Sequence, residues 1–125
     1  MKTIKGAMAV LSAAFCVLAQ AGTFYVATNG NDGADGSSEK PFATIAAGVS
    51  AAAASSAPRK VIVRTGTYKI SEVISIPNAA MSIESETGNP VDVVIDGQGV
   101  TPVLKWANWN GQIIVSGITV ANGFL

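Results

Sequence analysis

From Val61 onward the chain alternates short β-branched runs with turn residues. Val61-Ile-Val-Arg-Thr-Gly-Thr-Tyr68 is followed by Val73-Ile-Ser-Ile76, Met81-Ser-Ile-Glu-Ser85, Val93-Val-Ile-Asp-Gly97, Val103-Leu-Lys-Trp106 and Ile113-Ile-Val-Ser-Gly-Ile-Thr-Val120. Runs of this length, closed by Gly, Pro or Asn, predict strands. They begin roughly ten residues apart, too close for a crossover helix between them, which excludes a doubly wound sheet and leaves a meander, a sandwich or a coiled solenoid. Val61-Ile-Val63, Met81-Ser-Ile83 and Val103-Leu104 recur at about twenty residues, close to one coil of a parallel β-helix, with shorter strands between them. Only one stretch changes period. Ile45, Val49, Ala52 and Ala53 fall at i, i+4, i+7 and i+8, which predicts a short helix from about Thr44 to Ser55, stopped before Pro58. Its Ala-rich face is thin enough to lie flush on a flat apolar surface. A sandwich would not account for that single early helix.

Composition narrows the function more than the fold. The 125 residues suffice for one domain, and 49% hydrophobic against 13% charged residues argues for a compact β-rich protein. Eight Lys and Arg balance eight Asp and Glu and are scattered singly, so no nucleic-acid partner or anionic membrane is indicated. The absence of His removes Ser-His-Asp and Cys-His catalysis and His-based zinc sites. Lys2 and Lys5 precede an apolar run from Ala7 to Leu18, and Ala19-Gln-Ala21 supplies a small-x-small cleavage site. Residues 1 to 21 are therefore expected to be a secretion signal cut after Ala21, for a secreted, periplasmic or cell-surface protein. The run is too short to span a bilayer, and no second one follows. Cys16 as a lipoprotein anchor is disfavoured by the large Phe15 before it. Cleavage removes the only Cys, so stability must come from packing.

Three segments, in order, carry a resemblance: Tyr25-Val-Ala-Thr-Asn-Gly-Asn-Asp32, Gly36-Ser-Ser-Glu-Lys-Pro-Phe-Ala-Thr-Ile45 and Val61-Ile-Val-Arg-Thr-Gly-Thr-Tyr68. Together the chain resembles the start of secreted right-handed parallel β-helix proteins of the pectin-lyase-like superfamily. There the same order is a strand, a Gly/Asn/Asp loop, a capping helix and a first rung. Val94-Ile-Asp-Gly97 and Val115-Ser-Gly-Ile-Thr-Val-Ala-Asn-Gly123 look like further rungs. The resemblance implies an all-β, right-handed parallel β-helix (solenoid), N-terminal part only, with one short capping α-helix over residues 22 to 125. It also implies that enzymes of this type carry catalytic groups several rungs beyond the cap, so a fragment is expected. The superfamily holds polysaccharide lyases, glycoside hydrolases and adhesins, so it does not select one activity.

Candidate chemistry is sparse. Asn29, Asn31, Asp32 and Asp35 place four oxygen side chains in one loop. That density suits calcium, which takes six to eight oxygens, although no EF-hand frame is complete. The competing reading is a loop whose Asx side chains cap its own backbone. An elimination on a uronic-acid polymer would need a Lys or Arg base and carboxylates for a metal. The strand region offers Arg64, Lys69, Lys105, Asp92 and Asp96 for that work, with Glu84 and Glu86 as the carboxylate pair of a hydrolase. None has a recognisable spacing, and no catalytic residue is assigned. Trp106 and Trp109 could stack on sugar rings or pack internally. The expectation is an exported β-helix module, non-catalytic or incomplete, contacting a polysaccharide or cell-surface glycan. The rivals are the first part of a polysaccharide lyase or glycoside hydrolase with its active site beyond residue 125, and an adhesive surface protein. An open end of the stack would also invite end-to-end self-association.

Overall fold

The computed structural model describes residues 22–106 and 111–124. The segment expected to be a secretion signal lies outside them, as does Trp109. Nine strands and one helix follow one another as β1 (Thr23–Val26), α1 (Ile45–Ala54), β2 (Lys60–Val63), β3 (Gly66–Lys69), β4 (Ile74–Ile76), β5 (Met81–Ser85), β6 (Val93–Asp96), β7 (Leu104–Trp106), β8 (Ile113–Ser116) and β9 (Thr119–Ala121). Every strand pair is parallel. The strands form three sheets, β1-β2-β5-β8, β3-β6-β9 and β4-β7, so from β2 onward each strand pairs with the one three places later.

Two of the apolar runs are bent. Gly66 and Gly117 have positive φ, 154° and 65°, a backbone that residues with a Cβ rarely adopt. The run beginning at Val61 accordingly becomes β2 and β3, and that beginning at Ile113 becomes β8 and β9. The twenty-residue recurrence needs one correction. Val61 is in register with Ile83 and Ile83 with Val115, whereas Leu104 pairs with Ile74 in a different sheet. The second step along the first sheet is longer than the first because turns 86–92 and 97–103 intervene.

Alternation along each strand sends every second side chain inward. Val61 over Ile83, Tyr68 over Ile95, and Ile74 and Ile76 before Leu104 and Trp106 form columns across the sheets. Val61, Ile83 and Ile95 are at most 1% exposed. The outward set at the same register, Lys60 over Ser82 and Ile62 over Glu84, is mixed and wetter.

The helix forms where the period predicted it. Thr44 is its N-cap, with Oγ1 accepting from the Ala47 N–H at 3.2 Å, and Ser55 its C-cap. Ile45, Gly48, Val49 and Ala52 are buried, while Ala53 is half-buried at the edge of that face. α1 packs on β1, β2 and β4. A Cβ on Gly48 would lie 2.8 Å from Val26 Cγ2 and 3.0 Å from Val61 Cγ1, so the missing side chain is what permits the close approach.

Replacing Ile83 by Ala should cost about 2–5 kcal/mol, by loss of burial and creation of a cavity. Ile62→Ser, on the outer face of the neighbouring strand, should cost less than about 1 kcal/mol. Equal losses in chemical denaturation would contradict the assignment of inner and outer faces.

Candidate functional site

The Gly/Asx loop is ordered by its own side chains. Asn31 Oδ1 accepts from the Gly33 N–H at 2.8 Å, and Asp35 Oδ1 from the Ser37 N–H at 2.9 Å. Hydrogen bonds from Ser37 hold the Asp35 carboxyl below its ordinary pKa. Asp32 reaches further. Its Oδ1 accepts from the Ala43 and Thr44 N–H groups at 2.8 and 2.9 Å, and its Oδ2 from the Thr44 hydroxyl at 2.8 Å. One carboxylate thus ties the loop to the start of α1, where unsatisfied N–H groups favour an anion. Asn29 is exposed beside this loop. A calcium cage needs six to eight oxygens turned to one point, whereas Asn31, Asp32 and Asp35 turn to three separate backbone segments. Among the described residues, no group of three His, Cys, Asp or Glu could hold a metal ion.

Several of the charged candidates bridge successive strands instead of gathering around one point. Arg64 Nε lies 3.2 Å from Glu86 Oε2, its Nη2 donates to Ser38 Oγ at 3.0 Å, and its guanidinium sits 5.2 Å from the Tyr25 ring centroid. Lys60 Nζ is 3.7 Å from Glu84 Oε2. Asp92 Oδ2 accepts from the Thr87 hydroxyl at 2.7 Å. Asp96 Oδ1 accepts from Asn122 Nδ2 at 3.0 Å and from the Gln98 N–H at 2.8 Å. These bonds, that to Asn122 foremost, depress the Asp96 pKa. They also fix a corner in which Gln98 and Asn122 both have positive φ, 57° and 51°. Lys105 is exposed on β7 beside Trp106.

A cleft of about 360 Å³ opens between the start of α1 and the segment from β3 to β4. Thr28, Thr44, Thr67 and Ser71 bring hydroxyls to its wall, and Lys69 and Glu72 bring opposite charges. Ile45, Ile70 and Ile74 line it with apolar surface, as does Tyr68, which is 6% exposed. The Tyr68 hydroxyl donates to the Arg64 carbonyl at 2.7 Å, and burial pushes its pKa up to about 12. The volume lies at the lower end of small-ligand sites, and the mixture of an apolar floor with a few polar groups is typical of them. Of the charged candidates only Lys69 lines it. Ser71 and Glu72 carry no motif, and only folding brings them beside Thr28 and the start of α1.

Trp106 is 54% exposed and in register with the buried Ile76, so it continues an inward column at its last described position. No protein-family model, curated protein or solved structure matches the chain.

Asp32→Ala should lower stability by about 1–3 kcal/mol, through loss of the hydrogen bonds its carboxylate accepts from Ala43 and Thr44, and added calcium should not restore it. For Asp96 the direction with pH is set by its depressed folded-state pKa. It stabilises the fold above the unfolded-state value of about 3.9, and that contribution is lost as pH falls through the folded-state value. The stability difference between wild type and Asp96→Asn should therefore shrink as pH is lowered from 7 to about 3, as thermal unfolding at the two pH values would show.

Proposed function

We infer that the chain is an exported module of the right-handed parallel β-helix type that contacts polysaccharide through the cleft beneath α1. The coil reading is supported by the three-place spacing of strand pairs in all three sheets, and its hand by the strong preference of parallel crossovers for right-handed connections. The observation that carries the glycan reading is the cleft lining. Sugars present hydroxyls at the ring edge and C–H groups on the ring faces, and the cleft offers Thr and Ser hydroxyls beside the partly exposed Ile70. Lys69 supplies a cation for a uronic-acid carboxylate. Contact is favoured over turnover because Arg64 and Lys60, two of the strand-region cations, are held by Glu86 and Glu84.

Titration calorimetry with neutral and uronic-acid oligosaccharides tests this reading, with Lys69→Ala as the control variant and tryptophan emission recorded in parallel. Binding of uronic-acid oligomers that weakens at least several-fold in Lys69→Ala, with unchanged emission, is expected. An emission shift would move the contact to the Trp106 and Trp109 region. No heat with any oligosaccharide would overturn glycan contact altogether.

A further inference from the structure

Two opposite charges line the cleft beneath α1, and the protein answers them unequally. Lys69 stands at the end of β3 in register with Asp96 on β6, and its charge is one of the causes that hold the Asp96 carboxyl below its ordinary pKa. That cation is therefore met in part from within the sheet. Glu72, three residues further along the same wall, is exposed. Among the described residues lining the cleft it is the one carboxylate, and it joins neither ion pair of those residues, Lys60 with Glu84 or Arg64 with Glu86. The nearby hydroxyl of Thr44 is already spent as a donor. It gives its proton to Asp32 Oδ2 at 2.8 Å and accepts from the Ala47 N–H at 3.2 Å, so only acceptor capacity remains for a ligand.

We propose that Glu72 sets the specificity of the cleft by taking the ammonium of an amino sugar, so that the preferred glycan carries a free amine beside the uronic acid that Lys69 holds. The proposal rests on glycan contact at this site and adds the charge pattern of the glycan. An ammonium brings three N–H donors, which suits a carboxylate and a hydroxyl left only with acceptor capacity. N-acetylation of the sugar removes that charge and all but one of the donors. A run of consecutive uronic acids is disfavoured for a different reason, because it sets a second carboxylate against Glu72, where like charges repel. Lys69 and Glu72 line one cleft of about 360 Å³, near the lower limit of small-ligand sites. Neighbouring sugars of one short stretch therefore meet both charges.

Titration calorimetry with three oligosaccharides of equal length tests the assignment: one alternating glucuronic acid with glucosamine, the same one N-acetylated, and one of uronic acid alone. The free-amine oligomer is expected to bind the wild-type chain about two- to five-fold more tightly than the N-acetylated one, the range that an exposed ion pair supplies. Glu72→Gln should abolish that preference and tighten binding of the uronic-acid oligomer, with an unchanged denaturation midpoint because the side chain is exposed. Equal affinities of the free-amine and N-acetylated oligomers for the wild-type chain would overturn the role of Glu72 and leave glycan contact standing. A preference that survives in Glu72→Gln would do the same. No heat with any of the three would overturn both.

Discussion

The structure depends on keeping like side chains in register across parallel strands. Val61 stands against Ile83 and Ile83 against Val115, with Tyr68, Ile95 and Val120 as a second column. Burial of such aliphatic groups contributes about 1.5–3 kcal/mol each, and a slip of one residue would turn a whole column outward. Lys60 and Ile62 would then be inside and Val61 and Val63 in water. The sheets have no hairpin to fix their register, so the match of columns must do so, together with the corners at Gly66 and Gly117.

Inward side chains on the first strands of the sheets need a cover beyond the sheets themselves, and α1 supplies it by packing on β1, β2 and β4. Its Ala-rich surface and Gly48 let the helix settle within van der Waals reach of Val26 and Val61. Asp32 fastens its first turn to the preceding loop, and Phe24 stacks on Phe42 at 6.1 Å beside it. Helix, loop and β1 therefore act as one lid. The cleft is a by-product of that lid, because the helix start does not close fully over the segment from β3 to β4.

Polar side chains have a different task from the columns. Arg64 with Glu86, Lys60 with Glu84, and Asp96 with Asn122 each join one parallel strand, or the turn after it, to the next in its sheet. Exposed pairs of this type add little stability individually. Their consequence for function is larger, since they occupy most of the charged groups that chemistry on a strand face would draw upon. Lys69, Glu72 and Lys105 are charged side chains of the strand region outside these bridges, and the first two line the cleft.

The sequence alone determined the element types and most of their positions. Period is local, so Ile45, Val49 and Ala52 announced the helix within a residue at each end, and β-branched runs closed by turn residues announced β5 and β6. Strand partners were less legible, because pairing depends on the lengths of intervening turns, and Val103-Leu104 consequently fell in a different sheet from the one its spacing suggested. The density of Asx residues marked the loop at 29 to 35, but only folding decided that Asp32 holds Thr44, the N-cap of α1. Trp106 was visible as a large aromatic, yet whether it faced inward or outward depended on its register with Ile76. The cleft was beyond the sequence, since its lining runs from Thr28 to Ile74 and only folding brings those residues into one place.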